Sequence, residues 1–395
     1  MTNFKPAPSS SKNGMNEFPL MSEQEGIPLF YPFVPQASID EVVDTLSTRW
    51  IGQGPKVDKF EVKIQSLFAP EATCLAVGSG TDALHLSYLL AGVEKDDEVI
   101  VPVFTCTATN IPLLYIGAKP VFADIDIHTM NIDVEHVEKL ITPKTKAIVC
   151  VDYGGYPSDY KRLNELCQLH GLKLISDAAH SLGTKYGDKF ACEMADFSIF
   201  SFQAIKTITT GDGGMLVIRD QSLVPLAKKL RWFGIDRQAK QGGIWENDIV
   251  DVGYKYQMTD IAASMGLGAL ESMELIVQHR KSLFNVYKEE FKTINSAILI
   301  PSANDQKLES DFCPWLLTIL VPDRVGLMNV LRENGIESAQ VHYRNDRYSI
   351  FKEFKRVYKN MDQVEDNYLV LPLHMRMTEA QVGKICHVIR EYYLR

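Results

Sequence analysis

The sequence predicts an α/β fold in which a mostly parallel sheet is covered by helices. Apolar, strand-like runs alternate with helix-like segments from about residue 73 to residue 218. Several runs are apolar almost throughout, as in Glu98–Val103 and Lys146–Asp152, which is typical of strands buried on both faces of a parallel sheet. Segments such as Tyr160–His170 would form the crossover helices. The 395 residues also exceed the usual range of about 100 to 200 residues per domain, so a second lobe is expected.

The C-terminal part of the chain predicts this second lobe as a smaller α+β domain. Its helical and strand-like segments are, in order, Ile261–Glu271, Ile276–Phe291, Phe312–Val321, Arg324–Asn334 and Glu379–Tyr393. Gly335 follows the fourth segment as a helix C-cap would. We predict a large domain over residues 27–265, a small domain over residues 266–395, and a disordered tail over residues 1–26, which are rich in Ser, Pro, Asn and Lys.

Composition excludes several classes of function. The net charge is −9 and no basic block is visible, so we expect no nucleic-acid partner. No apolar run approaches the roughly 18 residues of a membrane span, so we expect no membrane association. The seven cysteines are scattered without metal-ligand spacing. We therefore expect free, mostly buried thiols, no metal site and a cytoplasmic location.

A single lysine lies between a predicted strand and a glycine-rich turn. Ala195–Phe202 and Gly214–Arg219 are strand-like, and Lys206 lies in the connection between them. A lysine amine that is held away from water and partly deprotonated can form a Schiff base with a carbonyl compound. Pyridoxal phosphate is the cofactor most associated with that bond. The alternative is an ordinary solvated loop lysine.

A carboxylate ends another predicted strand. Leu172–Asp177 is a short apolar run, and Asp177 lies at its carboxyl end, where ligands of open α/β sheets collect. A carboxylate there could pair with the protonated pyridine nitrogen of the cofactor. A helix cap or loop hydrogen bond is the alternative interpretation of Asp177. The nearby His180 could equally be a packed or capping residue.

A glycine turn follows a third predicted strand and precedes a helical segment. The turn contains Gly80 and Thr81. Free backbone N–H groups and the positive end of the helix dipole would make this junction a phosphate site, with the Thr81 hydroxyl as an extra donor. The same sequence could be an ordinary N-cap. Together, Lys206, Asp177 and this turn supply an imine lysine, a pyridine partner and a phosphate cradle.

With these motifs the chain resembles the DegT/DnrJ/EryC1/StrS sugar aminotransferases, which are fold-type I pyridoxal-phosphate enzymes. The resemblance runs from about Ile27 to the C-terminus. The motifs that carry it are, in order, Trp50–Pro55, Gly78–Leu84, Pro102–Thr109, Asp177–His180, Ser201–Lys206 and Gly253–Met258. The resemblance implies an α/β large domain with a smaller α+β C-terminal domain and pyridoxal 5'-phosphate as the cofactor.

The resemblance also implies individual roles. Lys206 would bind the cofactor covalently, Asp177 would contact the pyridine nitrogen, and His180 would lie near the phenolic oxygen. Ala179 would pack on one face of the ring. The phosphate would be held by the residues Gly80, Thr81 and Ser201. Relatives form homodimers with shared active sites, so Gly253–Met258 would reach across a dimer interface.

Two positions depart from the family pattern at the cofactor. Cys106 stands where relatives often have an aromatic residue that stacks on the ring, so Phe104 or the softer sulfur would have to serve. Lys255 and Gln257 stand where relatives often have Asn and Arg. A lysine can still contact phosphate as a mobile point charge, so Lys255 is a candidate cofactor ligand.

The resemblance implies transfer of an amino group from L-glutamate to a keto- or aldehydo-sugar. The acceptor expected from the family is a nucleotide-linked keto-deoxysugar on the way to lipopolysaccharide or another surface glycan. Where such relatives are often proline-rich, this chain has Val341–Tyr348, with His342, Arg344 and Arg347 as candidate substrate contacts. Two arginines suit a sugar acid such as 8-oxo-3-deoxy-manno-octulosonate, whose amination would give 8-amino-3,8-dideoxy-manno-octulosonate.

Two alternatives remain open. Arg344 and Arg347 flank Asp346 and could instead form a local salt-bridged turn. A protein that binds cofactor or sugar without turnover could also use this fold, although the presence of Lys206 and Asp177 argues against it.

Overall fold

The computed structural model describes residues 26–237, 243, 248–249, 251–294 and 310–394. The predicted N-terminal tail lies outside these residues apart from Gly26. The helices, which we number in chain order, are α1 Gln36–Leu46, α2 Pro55–Phe68, α3 Gly80–Leu90, α4 Thr107–Ile116, α5 Val134–Leu140, α6 Tyr160–His170, α7 Val224–Leu230, α8 Asp260–Leu270, α9 Met273–Phe291, α10 Arg324–Glu333, α11 Lys359–Val364 and α12 Glu379–Leu394.

The strands are numbered in the same way. They are β1 Thr73–Val77, β2 Glu98–Pro102, β3 Phe104–Thr105, β4 Lys119–Ala123, β5 Thr145–Val151, β6 Lys173–Asp177, β7 Lys185–Tyr186, β8 Lys189–Phe190, β9 Phe197–Ser201, β10 Gly214–Ile218, β11 Ser310–Asp311, β12 Leu317–Leu320, β13 Tyr343–Arg344 and β14 Tyr368–Leu371.

The central sheet has seven strands in the order β1-β10-β9-β6-β5-β2-β4. Strand β10 runs antiparallel to both β1 and β9, and the other neighbouring pairs are parallel. The prediction of a mostly parallel α/β sheet is therefore confirmed. Its strands are buried along almost their whole length, because helices cover the sheet and leave little apolar surface to water.

The smaller sheet of the C-terminal part pairs β12 with β14. Helices α9, α10 and α12 contribute apolar side chains to one buried cluster with these strands. The predicted strand Phe312–Val321 is shorter than expected, since only its second half pairs, and its first half leads Trp315 toward the large sheet. Helix α8 packs its small residues against α1 and α2. The predicted division at residue 265 falls inside α8 and stays a prediction.

The segment before α1 joins the C-terminal part of the fold. Ile27 pairs with Ile336 and is buried in the same cluster as α9 and α12. A few residues later, Leu29 is buried in the cluster of the large sheet. Ile27 and Leu29 thus connect the buried cluster of the C-terminal part with that of the large sheet.

The carboxyl ends of β1, β6 and β9 meet at one edge of the sheet because these strands point in the same direction. The register places Gly214 opposite both Val77 and Ser201, at the ends of β1 and β9. On the other side of β9, Asp177 lies opposite Ile199. The two predicted halves of the site, at the ends of β1 and β6, are therefore brought onto one edge.

Two general expectations from composition can be compared with the structure. All seven cysteines are free thiols, and six of them are buried, whereas Cys106 is exposed. Within the described ranges, no helix is both long and apolar enough to cross a membrane.

Gly214 cannot carry a side chain without moving backbone. A Cβ atom at this position would lie 2.3 Å from the backbone oxygen of Ser79 and 2.6 Å from the nitrogen of Gly80. We predict that Gly214→Ala lowers the free energy of unfolding by about 2–4 kcal/mol, because the turn between β1 and α3 has to shift. Chemical denaturation of the cofactor-free protein measures this change.

The matched control is Gly383→Ala in α12, where a Cβ atom would meet nothing within 4 Å. This variant should be as stable as the parent protein or more stable by up to about 1 kcal/mol, since alanine favours the helix. Equal stability of the two variants would contradict the close approach at Gly214.

Candidate functional site

Lys206 lies in the connection between β9 and β10, as the sequence predicts. Its Nζ atom is 3.8 Å from the centre of the Trp315 ring. A hydrogen bond of 2.9 Å from Nε1–H to the Ile205 carbonyl fixes the orientation of the Trp315 indole. Burial lowers the pKa of the Lys206 amine to about 8, against smaller opposing effects of Asp177 and Cys106. Roughly a tenth of the amine is therefore neutral and nucleophilic at pH 7, and about half at pH 8.

Asp177 is buried at the end of β6, with 4% of its surface exposed. Its Oδ2 accepts a hydrogen bond of 2.7 Å from the Thr109 hydroxyl, and its Oδ1 accepts one of 3.2 Å from the Ala179 N–H. Burial raises the pKa of Asp177, whereas these two donors and Lys206 lower it. The carboxylate has lone pairs left for a cationic N–H, so it can neutralise such a group in a water-poor environment.

Two histidines and a tryptophan form a stack beside Lys206. His180 lies 3.9 Å from Trp315 between ring centres, at an angle of 24°. On its other side His342 is 5.3 Å away and nearly parallel. Burial and the charge of Lys206 lower the pKa of His180 well below its usual range and that of His342 to about 3. Both imidazoles are therefore neutral at physiological pH.

The His342 ring also has an unused polar atom. Its Nε2 is buried and has no hydrogen-bond partner among the described residues. A buried polar atom without a partner is costly, so a group supplied by a ligand would satisfy it.

The start of α3 forms a cradle with the end of β9. Ser79 caps the helix by accepting a hydrogen bond of 3.0 Å from the Asp82 N–H. Within the described part of the chain, no hydrogen bond engages the N–H groups of Gly80 and Thr81 or the Thr81 hydroxyl. A Cβ atom at Gly80 would lie 3.1 Å from the Cβ of Ser201, so the two elements are in close contact. Free N–H groups at a helix N-terminus and two hydroxyls fit a phosphate.

Cys106 is the exposed residue immediately before α4, and it interacts electrostatically with Lys206. Its predicted stacking on the cofactor ring stays a prediction. Phe104, the other candidate, packs against Tyr153 and Tyr368 in the core. Those contacts occupy the Phe104 ring, so Cys106 is the better placed of the two.

Lys255 lies in a segment that runs along the end of β1 of its own chain. The Gly78 N–H donates a hydrogen bond of 2.8 Å to the Tyr256 carbonyl, and Val77 pairs with Gln257. The Lys255 ammonium itself is exposed and lies 3.6 Å from the centre of the Trp232 ring. Its predicted contact with the phosphate, across a dimer interface, stays a prediction.

Arg344 is committed to internal ion pairs. Its guanidinium donates to both carboxylate oxygens of Asp346, at 2.7 and 2.8 Å, and also pairs with Asp362 and Glu365. Arg347 pairs with Glu365 at 3.2 Å, with 36% of its side chain exposed. The local salt-bridged turn therefore describes Arg344 better than a substrate contact does, because its donors already pair with three carboxylates.

Comparison with known proteins shows which family this chain belongs to. The model of the DegT/DnrJ/EryC1/StrS aminotransferase family matches residues 34–390. This chain belongs to that family. It is 33% identical over 369 residues to GDP-perosamine synthase of Escherichia coli O157:H7, with 93% of this chain and 98% of the relative covered. It is 31% identical over 381 residues to the spore coat polysaccharide biosynthesis protein SpsC of Bacillus subtilis, with 92% and 96% covered.

A solved structure agrees with this membership. A protein from Streptococcus pneumoniae described as a sugar aminotransferase, in its PLP form, is 30% identical and superposes with a TM-score of 0.85. The match covers 93% of this chain and 98% of that one. The family member described here is thus a pyridoxal-phosphate-dependent sugar aminotransferase with the fold-type I architecture.

The described residues fit pyridoxal phosphate. The unengaged N–H groups of Gly80 and Thr81 suit its phosphate, Asp177 suits its pyridine nitrogen, and Lys206 offers an amine of lowered pKa. The His180 ring stacks on the Trp315 ring, and the Lys206 amine also lies over the Trp315 ring. The predicted cofactor residues at the ends of β1, β6 and β9 therefore share one edge of the sheet, and their individual roles stay predictions.

Sequence reasoning missed two residues of the site. Thr109 ends the Pro102–Thr109 motif, and nothing in that motif indicates that its hydroxyl contacts Asp177. Trp315 lies in an apolar run that predicts only a strand, and nothing in that run indicates contact with a lysine about a hundred residues earlier. A Cys-Pro pair just before Trp315 is the one local signal of an interrupted strand.

The Lys206 pKa predicts how the cofactor-free enzyme reacts with pH. We expect the rate of covalent trapping of pyridoxal phosphate at Lys206 to rise with a midpoint near pH 8, because only the neutral amine attacks the aldehyde. Borohydride reduction at a series of pH values, followed by peptide mass spectrometry, measures this rate. The exposed Lys59 in the same digest is the internal reference. A Lys206 midpoint near pH 10.5, the ordinary value for lysine, would contradict the effect of burial.

Proposed function

We propose that this enzyme moves an amino group from L-glutamate, giving 2-oxoglutarate, to the carbonyl of a nucleotide-linked keto-deoxysugar. The single observation that carries transamination is the Lys206 amine of lowered pKa beside the buried Asp177. We place the reaction in the cytoplasm, in the synthesis of lipopolysaccharide or another surface glycan, with a homodimer sharing its active sites. The names of two relatives, one for a GDP-linked sugar and one for a coat polysaccharide, support this class of product.

Each residue of the site would perform a separate task. Pyridoxal phosphate, when bound, supplies an electron-withdrawing ring that stores the amino group between the two half-reactions. The freed Lys206 amine would remove a proton from the substrate carbon and return it, for which a pKa near the working pH is suited. Asp177 would hold the pyridine N–H by an ionic hydrogen bond throughout. The Trp315 and His180 rings would keep bulk water from the amine.

The ion pairs of Arg344 and Arg347 argue against a sugar acid as the acceptor. Arg344 pairs with Asp346, Asp362 and Glu365, and Arg347 pairs with Glu365, so carboxylates of this chain already neutralise both guanidiniums. Such a turn offers little attraction to the carboxylate of a sugar acid. The neutral His342 with its unpartnered Nε2 is better suited to a sugar hydroxyl.

A sugar acid remains the second candidate acceptor, because one guanidinium is accessible. Arg347 keeps 36% of its side chain exposed, and its ion pair with Glu365 measures 3.2 Å. It could turn from Glu365 to a substrate carboxylate, as in 8-oxo-3-deoxy-manno-octulosonate.

Lys206→Ala tests the donor half-reaction. We expect the parent enzyme to show the visible absorbance of lysine-bound cofactor, and this absorbance to change when glutamate is added while 2-oxoglutarate is released. The variant should lack the band and release less than about a thousandth of the 2-oxoglutarate, because both the covalent link and the proton carrier are lost. Absorbance spectra and a 2-oxoglutarate assay are the measurements.

The matched control is Lys189→Ala, which removes an exposed lysine paired with Glu71 at 3.0 Å in the same part of the sequence. It should behave as the parent enzyme does. Bound cofactor that does not respond to glutamate in the parent enzyme would rule out glutamate as the donor, and full activity of Lys206→Ala would rule out the mechanism.

Arg347→Gln distinguishes the two acceptors. With a nucleotide-linked acceptor we expect a KM within about twofold of the parent value, because the guanidinium pairs with Glu365 and not with substrate. With a sugar-acid acceptor, the KM for the acceptor should instead rise by about tenfold or more, while the glutamate half-reaction stays unchanged. Steady-state kinetics with each class of acceptor measure this difference.

A further inference from the structure

A row of three buried groups leads from β3 to Asp177. The hydroxyls of Thr105 and Thr109 lie 2.8 Å apart, and the Thr109 hydroxyl lies 2.7 Å from Asp177 Oδ2. Thr105 is 2% exposed and Thr109 is fully buried. Within the described ranges, no other side chain forms a hydrogen bond with Asp177. The row is therefore sealed from water and ends on the carboxylate.

The protons in this row can be placed by elimination. An ionised carboxylate only accepts hydrogen bonds, so Thr109 must donate its one hydroxyl proton to Asp177. The hydrogen bond between the two threonines then requires Thr105 to be the donor. A donor that itself accepts a hydrogen bond is polarised and binds its acceptor more strongly.

Backbone contacts hold both threonines in place. Thr109 lies in the first turn of α4, where its carbonyl accepts a hydrogen bond of 2.6 Å from the Tyr88 hydroxyl. Thr105 lies in β3, which pairs with β13, and its carbonyl accepts a bond of 2.8 Å from the Asn345 amide. Asn345 follows Arg344, whose ion pairs fix the turn. The Arg344 turn thus supports the hydroxyl row from behind.

We propose that Thr109 is a positioning residue for Asp177 and that Thr105 supports it. The hydroxyls of Thr105 and Thr109, which we call the hydroxyl relay, would hold the carboxylate in the orientation that binds the pyridine N–H of the cofactor. The inference rests on the proposed role of Asp177. It assigns to the relay the task of fixing Oδ2, while the Ala179 N–H fixes Oδ1. The remaining lone pair of each oxygen then points in a defined direction.

Two substitutions separate the hydroxyl of Thr109 from its shape. Thr109→Val keeps the volume and removes the donor, whereas Thr109→Ser keeps the donor and removes a methyl group. We expect Thr109→Val to weaken binding of pyridoxal phosphate to the cofactor-free enzyme by roughly tenfold or more, since a hydrogen bond to a buried charge is lost. Thr109→Ser should stay within about threefold of the parent value. Absorbance titration gives the dissociation constants, and thermal unfolding shows whether each variant is folded.

The Thr105 position tests the relay itself. Thr105→Val alone should weaken cofactor binding by about threefold, because the donor remains but is no longer polarised. In the Thr109→Val background the same change should have no further effect, since the row is already interrupted. Additive losses in the double variant would overturn the relay and leave two independent packing effects.

Asp177→Ala separates failure of this inference from failure of the proposed function. If this variant binds the cofactor as tightly as the parent, the proposed role of Asp177 is wrong. If Asp177→Ala loses binding while Thr109→Val does not, Asp177 keeps its role and the relay is overturned. Weak binding by Thr109→Ser with normal binding by Thr109→Val would likewise overturn it, because packing alone would then explain Thr109.

Discussion

The insertion of one antiparallel strand into an otherwise parallel sheet is the constraint on which the site depends. Because β10 lies between β1 and β9, the backbone of Gly214 is in close contact with the turn that begins α3. The same insertion makes β9 and β10 neighbours of opposite direction, so the chain has to reverse between them. Lys206 lies in that reversal and is thereby held at the edge where β1 and β6 also end.

Exclusion of water gives this edge its chemistry. The pKa of Lys206 is lowered and that of Asp177 is raised, in each case mainly by burial, so both groups are displaced toward neutrality. Their mutual attraction opposes both shifts. With pyridoxal phosphate bound, Asp177 would exchange its attraction to Lys206 for an ionic hydrogen bond to the pyridine N–H. The lining of Trp315 and neutral histidines keeps that exchange in a medium of low polarity.

Local patterns were sufficient for the sheet and for the strand-end positions of the candidate cofactor residues, whereas contacts between distant segments were not predictable. The strand ends carrying Asp177 and Ser201 follow from apolar runs of the right length, and the direction rule for parallel strands brings them together. Trp315 could not be assigned, because its run is apolar for reasons of burial in a different part of the fold. Arg344 was predictable only in part. Its pairing with the nearby Asp346 follows from the local sequence, whereas its pairing with the more distant Asp362 and Glu365 does not.

The pairing of Ile27 with Ile336 has a consequence for how the chain is made. These residues are separated by about 300 positions, yet each lies in the same buried cluster. During synthesis Ile27 emerges from the ribosome long before its partner, so its apolar side chain lacks that contact until most of the chain has been translated. Closure of the C-terminal core around Ile27 is therefore a late event in biogenesis, because it waits for residues that are synthesised about 300 positions later.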